Sequence, residues 1–173
     1  MREKFIYRKL DAKDESELFH IMDVVLGGLE RKELFIPYSE EEKKCVFDCN
    51  YAFHYGAFDQ EKLVATNAIY VSENLIKDYY TILNIDKSKK IGELGGFLTL
   101  KEYSGQGLMT KLCEIQLSAA KELDFDYITA TAHPENVSSC KILEKVGLVF
   151  FDTITTSSGY LRNVYWKKLN GEI

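Results

Sequence analysis

The cysteines of this chain lack any pairing pattern. Cys45, Cys49, Cys113 and Cys140 form no C-x-x-C unit, and His20, His54 and His133 fall at no zinc-finger spacing. That argues against a structural zinc site and against a dithiol redox pair. Each cysteine lies within an apolar helical pattern, so the expectation is buried, reduced thiols. Missing too is an apolar run long enough to span a bilayer, as is a charged n-region followed by an apolar h-region. The expected location is the cytoplasm, with no membrane partner. No basic run occurs and the net charge is −5, which argues against a nucleic-acid surface. No repeat, low-complexity tract or linker divides the chain.

What is present is an ordinary globular composition, in a length that supports one domain over residues 1–173 with a sizeable core. Phe5-Ile6-Tyr7-Arg8-Lys9-Leu10 reads as a first strand. Leu18, Ile21, Met22 and Val25 share a helical face that Gly27-Gly28 ends. Ser39 with Glu42 makes a capping box for a second helix carrying Val46 and two of the cysteines. Residues 53–58 and 63–71 form a hairpin around Asp59-Gln60-Glu61-Lys62, and residues 91–100 a further strand. The helix from Gly107 to Leu123 has a polar stripe at Lys111, Glu114, Ser118 and Lys121 and is otherwise mostly apolar, so it should cover a sheet. A strand at 127–132, a helix at 137–146 closed by Gly147, and strands at 148–155 and 163–169 complete the order β-α-α-β-β-β-α-β-α-β-β, a mixed α/β layer architecture. Residues 72–90 interrupt that order. They hold Leu75, Ile76, Tyr79, Tyr80, Ile82 and Leu83 among charges and are long for a strand connection. They read either as a short helix packed on the body or as a flap over an acceptor.

The most informative stretch runs from Phe97 to Thr110. An apolar strand meets the turn Ser104-Gly105-Gln106-Gly107, which opens directly into a helix at Leu108-Met109-Thr110. Several backbone N–H groups and the positive end of a helix dipole then point at one spot, which suits a phosphate, and glycine lets the backbone approach it. Two familiar phosphate loops are excluded. Thr110-Lys111 follows the second glycine in the wrong order and register for a P-loop, and Thr110 stands where a dinucleotide fingerprint needs its third glycine.

The loop, the strand Tyr127-Ile128-Thr129-Ala130-Thr131-Ala132 and the string from Asn136 through Ser139 to Leu143-Glu144-Lys145-Val146-Gly147 resemble the GCN5-related N-acetyltransferase (GNAT) superfamily. The wording is nearest to its ribosomal-protein N-acetyltransferase branch, and the resemblance is clearest over residues 91–151. The element order is also that of the superfamily. The resemblance implies a mostly antiparallel central sheet with helices on both faces, and acetyl-CoA as cofactor. Two neighbouring strands would splay apart to hold pantetheine. The backbone of Phe97, Leu98 and Thr99 would pair with it, the amides of Gly105, Gln106, Gly107, Leu108, Met109 and Thr110 would hold the pyrophosphate, and Asn136 would bond the cofactor. Asn136 also suits a helix N-cap, and the two roles are compatible because a cap uses only its side-chain oxygen. Ser104 departs from the superfamily's Gln or Arg, and Met109 from its Gly or Ala.

Acetyl transfer to an amine needs a held thioester, a neutral amine and a stabilised oxyanion. Glu93, on the apolar strand eleven residues before Ser104, stands in the register of the catalytic glutamate of the histone-acetyltransferase branch. Burial there would raise its pKa toward the range useful for a base. Its alternative is a structural glutamate at a strand edge. His133 and Glu135 are weaker relay candidates. The superfamily's acidic tyrosine is replaced by Leu143. Ser139 could instead donate to the leaving thiolate, and Tyr160 or Tyr165 could supply a hydroxyl. The reading is an N-acetyltransferase acting on a primary amine of a small molecule or peptide by direct attack in a ternary complex. The alternative is a non-catalytic acyl-CoA sensor. No metal is expected, and the exposed late strands leave room for a homodimer, the oligomeric state being open.

Overall fold

Strand β1 (Ile6–Lys9) lies between the buried Phe5 and Leu10, and the computed structural model describes residues 4–170. The outermost residues of the expected 1–173 domain lie outside that range. Helix α1 (Glu15–Gly27) buries Leu18, Ile21 and Met22, the spacing of one helical face, and ends at Gly28. Helix α2 (Glu40–Lys43) has the expected capping box: Glu42 N–H donates to Ser39 Oγ at 3.2 Å, and Ser39 N–H to Glu42 Oε2 at 2.7 Å. It is far shorter than the sequence suggests. Cys45 and Cys49 fall after it, in turns where Asp48 Oδ1 accepts the Asn50 N–H at 2.8 Å. Local side-chain bonding of that kind competes with helix extension. The expectation of buried thiols holds for Cys113 alone; Cys45 and Cys140 are half-buried and Cys49 is exposed.

Strands β2 (Ala52–Asp59) and β3 (Lys62–Tyr70) form the expected hairpin. All of β3 after Lys62 is buried, the pattern of a strand covered on both faces. Helix α3 (Glu73–Ile82) occupies the interrupting segment, so the short-helix reading is the one realised. Strand β4 (Ile91–Thr99), helix α4 (Leu108–Glu122), strand β5 (Tyr127–Ala132), helix α5 (Val137–Lys145) and strands β6 (Val149–Thr155) and β7 (Leu161–Lys168) follow. The sheet order is β1-β2-β3-β4-β5-β7-β6. Every pairing is antiparallel except that of β4 with β5.

Helices α1 and α4 both pack on β3 and β4, and the main core lies between them and the sheet. Helix α3 packs on β4 and belongs to a smaller cluster, in which Ile76 and Tyr79 meet Val164 of β7. The last strand of the sheet, β6, exposes Val149, Phe150 and Phe151. No helix among the described residues is long and apolar enough to cross a membrane.

Candidate active site

The parallel pair β4 and β5 is joined through Ile91↔Tyr127, Gly92↔Ile128 and Glu93↔Thr129. Past Glu93 the pairing stops, although β4 continues to Thr99 and β5 to Ala132. On its other side β4 stays bonded to β3, through Ala68↔Gly95, Thr66↔Leu98 and Ala65↔Thr99. The edge of β4 toward the gap therefore has no strand partner beyond Glu93. Within this stretch Gly96 and Phe97 together face Asn67 alone, a bulge. Gly96 takes φ +64, and a Cβ on it would lie 2.6 Å from the Tyr70 hydroxyl and 3.3 Å from that of Tyr38. Only glycine fits there. The sequence carried a signal for it, since Gly95-Gly96 inside a strand pattern marks a bulge.

The gap leads into a cavity of about 210 Å³. Of the residues singled out in the sequence, Glu93, Phe97, Asn136 and Ser139 line it, together with Leu143. Glu93 Oε1 accepts a hydrogen bond from the Tyr79 hydroxyl at 2.6 Å and a longer one from Thr131 Oγ1 at 3.4 Å. Burial pushes the Glu93 carboxyl up to about 7; the two hydrogen bonds hold it down, and no cation acts on it. Asn136 caps α5, its Oδ1 accepting the Ser139 N–H at 3.2 Å, which leaves its Nδ2 amide for another partner.

The phosphate-type loop lies outside this cavity, beyond the C-terminal end of β4. Gly105 and Gly107 adopt φ +75 and +79, and a Cβ on either would meet nothing within 4 Å. Open space thus stands over both glycines at the start of α4, whose first-turn amides have no intrahelical acceptor. Leu98, Leu108 and Met109 bury their side chains in the core, leaving only backbone to offer a ligand. Thr99 and Thr110 are half-buried. Gln106 is exposed and accepts from Lys4 Nζ at 3.2 Å.

Several candidates are not brought to the cavity. Glu135 is on the surface, paired with Arg31 at 2.7 Å. His133 is buried, its Nδ1 accepting the Glu135 N–H at 3.2 Å. Tyr165 is buried against Cys140 and Asn163, and burial pushes its phenol up to about 12. Tyr160 stacks with Arg162, the guanidinium 5.2 Å from the ring centre. The tyrosines that do line the cavity are Tyr38, Tyr51 and Tyr70. The Tyr38 hydroxyl bonds that of Tyr70 and lies 2.9 Å from His54 Nε2, a ring kept neutral because burial lowers it to about 4. Sequence reasoning missed this group, Tyr79 and Arg162.

The family model of the acetyltransferase (GNAT) domain matches residues 32–149, which include the bulge, the glycine loop and all of the cavity lining except Arg162. The chain belongs to the GNAT acetyltransferase family. As such it is an acetyltransferase that uses acetyl-CoA. No curated protein matches it by sequence. Among solved structures, an acetyltransferase of the GNAT family from Streptococcus pneumoniae is 17% identical, with a TM-score of 0.74 over 96% of this chain and 99% of that one. A ribosomal-protein-S5-alanine acetyltransferase from Vibrio fischeri is 17% identical, with a TM-score of 0.71 over 98% and 96%. Arabidopsis thaliana NAA60, in complex with a bisubstrate analogue, is 12% identical, with a TM-score of 0.72 over 97% and 99%. The mixed, mostly antiparallel sheet with helices on both faces is thus the GNAT fold. The residues of the site fit acetyl-CoA in two respects: β4 lacks a strand partner where pantetheine would lie, and space is open over Gly105 and Gly107 where a pyrophosphate would lie.

Proposed function

We propose that this GNAT enzyme transfers acetyl to the primary amine of a small molecule or peptide, by direct attack within a ternary complex. The observation that carries the reading is Glu93. Its carboxyl lines the cavity at the point where β4 and β5 part, and its pKa is raised to about 7 by burial. A base poised near neutral pH combines ionisation with proton affinity. Acetyl-CoA, when bound, supplies the thioester carbon that the amine attacks. Glu93 takes the proton from the amine, directly or through a water. The unpaired β4 backbone at Phe97, Leu98 and Thr99 holds pantetheine. The amides of residues 105–110 hold the pyrophosphate, aided by the dipole of α4. Ser139, on the first turn of α5 and on the cavity wall, donates its hydroxyl to the leaving thiolate, where Leu143 cannot. Free thiols at Cys45, Cys49, Cys113 and Cys140 accord with a cytoplasmic setting.

The Vibrio fischeri relative acts on an alanine of a ribosomal protein, so N-terminal peptides belong in the first acceptor panel beside small amines. Calorimetric titration with acetyl-CoA, followed by thiol release over that panel, tests the reading. Binding without transfer to any amine would sink it and leave an acyl-CoA sensor.

Asn136 offers a separate check on the cofactor assignment. Asn136→Ala should cost about 1 kcal/mol of stability through loss of the α5 cap. It should also weaken acetyl-CoA binding, because the Nδ2 amide is lost with it. A folded variant with an unchanged acetyl-CoA Kd would confine Asn136 to capping.

A further inference from the structure

Arg162, the second residue of β7, is only 3% exposed, yet it lines the cavity. Nη1 donates to the Leu161 carbonyl at 2.8 Å and Nη2 to the Glu33 carbonyl at 3.1 Å. Those bonds use two of the five N–H donors of a guanidinium. No carboxylate pairs with it among the described residues. The other two arginines there are both neutralised: Arg8 by Asp14 at 2.6 Å, and Arg31 by Glu33 and Glu135 at 2.7 Å each. Buried charges are ordinarily paired, because leaving one unpaired costs several kcal/mol. Arg162 is the exception, and it faces open volume.

Its place in the sheet says which substrate would meet it. Val164 pairs with Thr131, whose hydroxyl reaches Glu93, and side chains two apart on a strand share a face. Arg162 and Glu93 therefore stand on one face of the sheet. Arg162 is one step beyond the Ala132↔Asn163 pair, level with residue 133, whereas Glu93 is level with Thr129. The offset is about 13 Å along the strands at the level of the backbone. The glycine loop that suits a pyrophosphate does not line this cavity, so the cofactor's phosphates do not account for the arginine.

We infer that Arg162 recognises a carboxylate on the acceptor: the substrate is an amine carrying a carboxylate several bonds away, held with its nitrogen at Glu93 and its anion at Arg162. This inference rests on the amine-acetyltransferase reading and narrows its substrate class. A single buried guanidinium matches one negative charge, and its planar fork suits bidentate contact with a carboxylate. A free ω-amino acid and a peptide with an acidic side chain near its N-terminus both present that chemistry.

The test uses the whole protein, acetyl-CoA and acceptors in pairs matched for length. One member of each pair ends in a carboxylate and the other in a carboxamide. γ-Aminobutyrate and ε-aminohexanoate with their amides form one arm; short peptides with Glu or Gln as second residue form the other, so the arms separate the two sources. Thiol-release rates give kcat and KM. The carboxylate member of the preferred pair should have a KM roughly 10–100-fold lower, the scale of a hydrogen-bonded charge. Arg162→Met should bring the pair to within about threefold of each other, and Arg162→Lys should restore part of the gap. A merely structural Arg162, holding residues 31–38 through the Glu33 carbonyl, would raise KM for both members alike and leave the ratio intact. Calorimetric titration of the N-acetylated pairs, with coenzyme A present, reads the same preference without turnover.

Equal KM values across all wild-type pairs, or a preference that survives Arg162→Met, overturns the inference and leaves the acetyltransferase reading standing. If Arg162→Met does not fold, the wild-type pairs decide alone. Charge-dependent product binding with no transfer to any amine would sink the transfer reading instead.

Discussion

Glu93→Gln should lower turnover about 10²–10⁴-fold, the usual contribution of a positioned general base, with little change in acetyl-CoA affinity. Glutamine keeps the shape and can still accept the Tyr79 and Thr131 hydroxyls, but it cannot take a proton. In the wild type, kcat/KM should rise with pH through about 7, as the carboxyl ionises; the variant should lack that limb. Its deficit should shrink at high pH, where more of the amine is already neutral. Tyr79→Phe should move the limb to higher pH, because the Tyr79 hydrogen bond opposes the upward shift.

Stability should change in the opposite sense. An acid whose pKa is raised by folding favours the folded state while it is protonated. That contribution is full below the ordinary value of 4.5 and is lost as pH rises through about 7. Glu93→Gln removes the dependence. The variant should melt with the wild type at pH 4 and be more stable at pH 8, by at most about 3 kcal/mol for a shift of this size. Near-normal turnover at neutral pH with a good acceptor would make Glu93 structural and leave the proton to water.

The second large effect is expected at the glycine loop. Gly107→Val should raise the acetyl-CoA Kd roughly 10–100-fold, the loss expected when a hydrogen bond to a charged group fails, in a protein that still folds. Gly107 is the N-cap of α4 and sits at φ +79, a region closed to branched side chains. A Cβ there meets no neighbour, so the fold bears only a backbone penalty of about 1–3 kcal/mol. The damage falls on a bound anion, because the side chain enters the space over the first-turn amides. Calorimetry decides it, and an unchanged Kd in a folded variant would remove the loop from the site.

Features set by short-range pattern could be read from the sequence. Ser39 and Glu42 announced a capping box, Asn136 a helix start, and the turn at 104–107 the mouth of α4. Glu93 was legible because a carboxylate on an apolar strand just upstream of that turn is chemically conspicuous. The length of α2 was not, since Asp48 and Asn50 impose a turn of their own against the apolar periodicity carried by Val46. Nor was the bond from Tyr79 to Glu93, which depends on how α3 docks; nothing local in residues 72–90 says that β4, the strand that follows, will present Glu93 to the helix. Arg162 was hidden for a related reason. Its lack of a carboxylate is a property of three segments meeting, at 31–38, 131–139 and 160–164.

Helix α3 draws part of its stability from outside the main core. Its buried residues Ile76 and Tyr79 belong to a small cluster with Val164, and Leu75 bridges that cluster and the main core. Regions with few buried apolar contacts open locally, at free energies below that of global unfolding. The Tyr79 hydroxyl is the tie between this helix and the proposed base, so each local opening of α3 exposes Glu93 to water and returns its acidity toward that of a free carboxylate. In native-state hydrogen exchange, the amides of residues 76–82 should exchange well ahead of those of β3. Equal protection in the two would show that helix and sheet open as one unit.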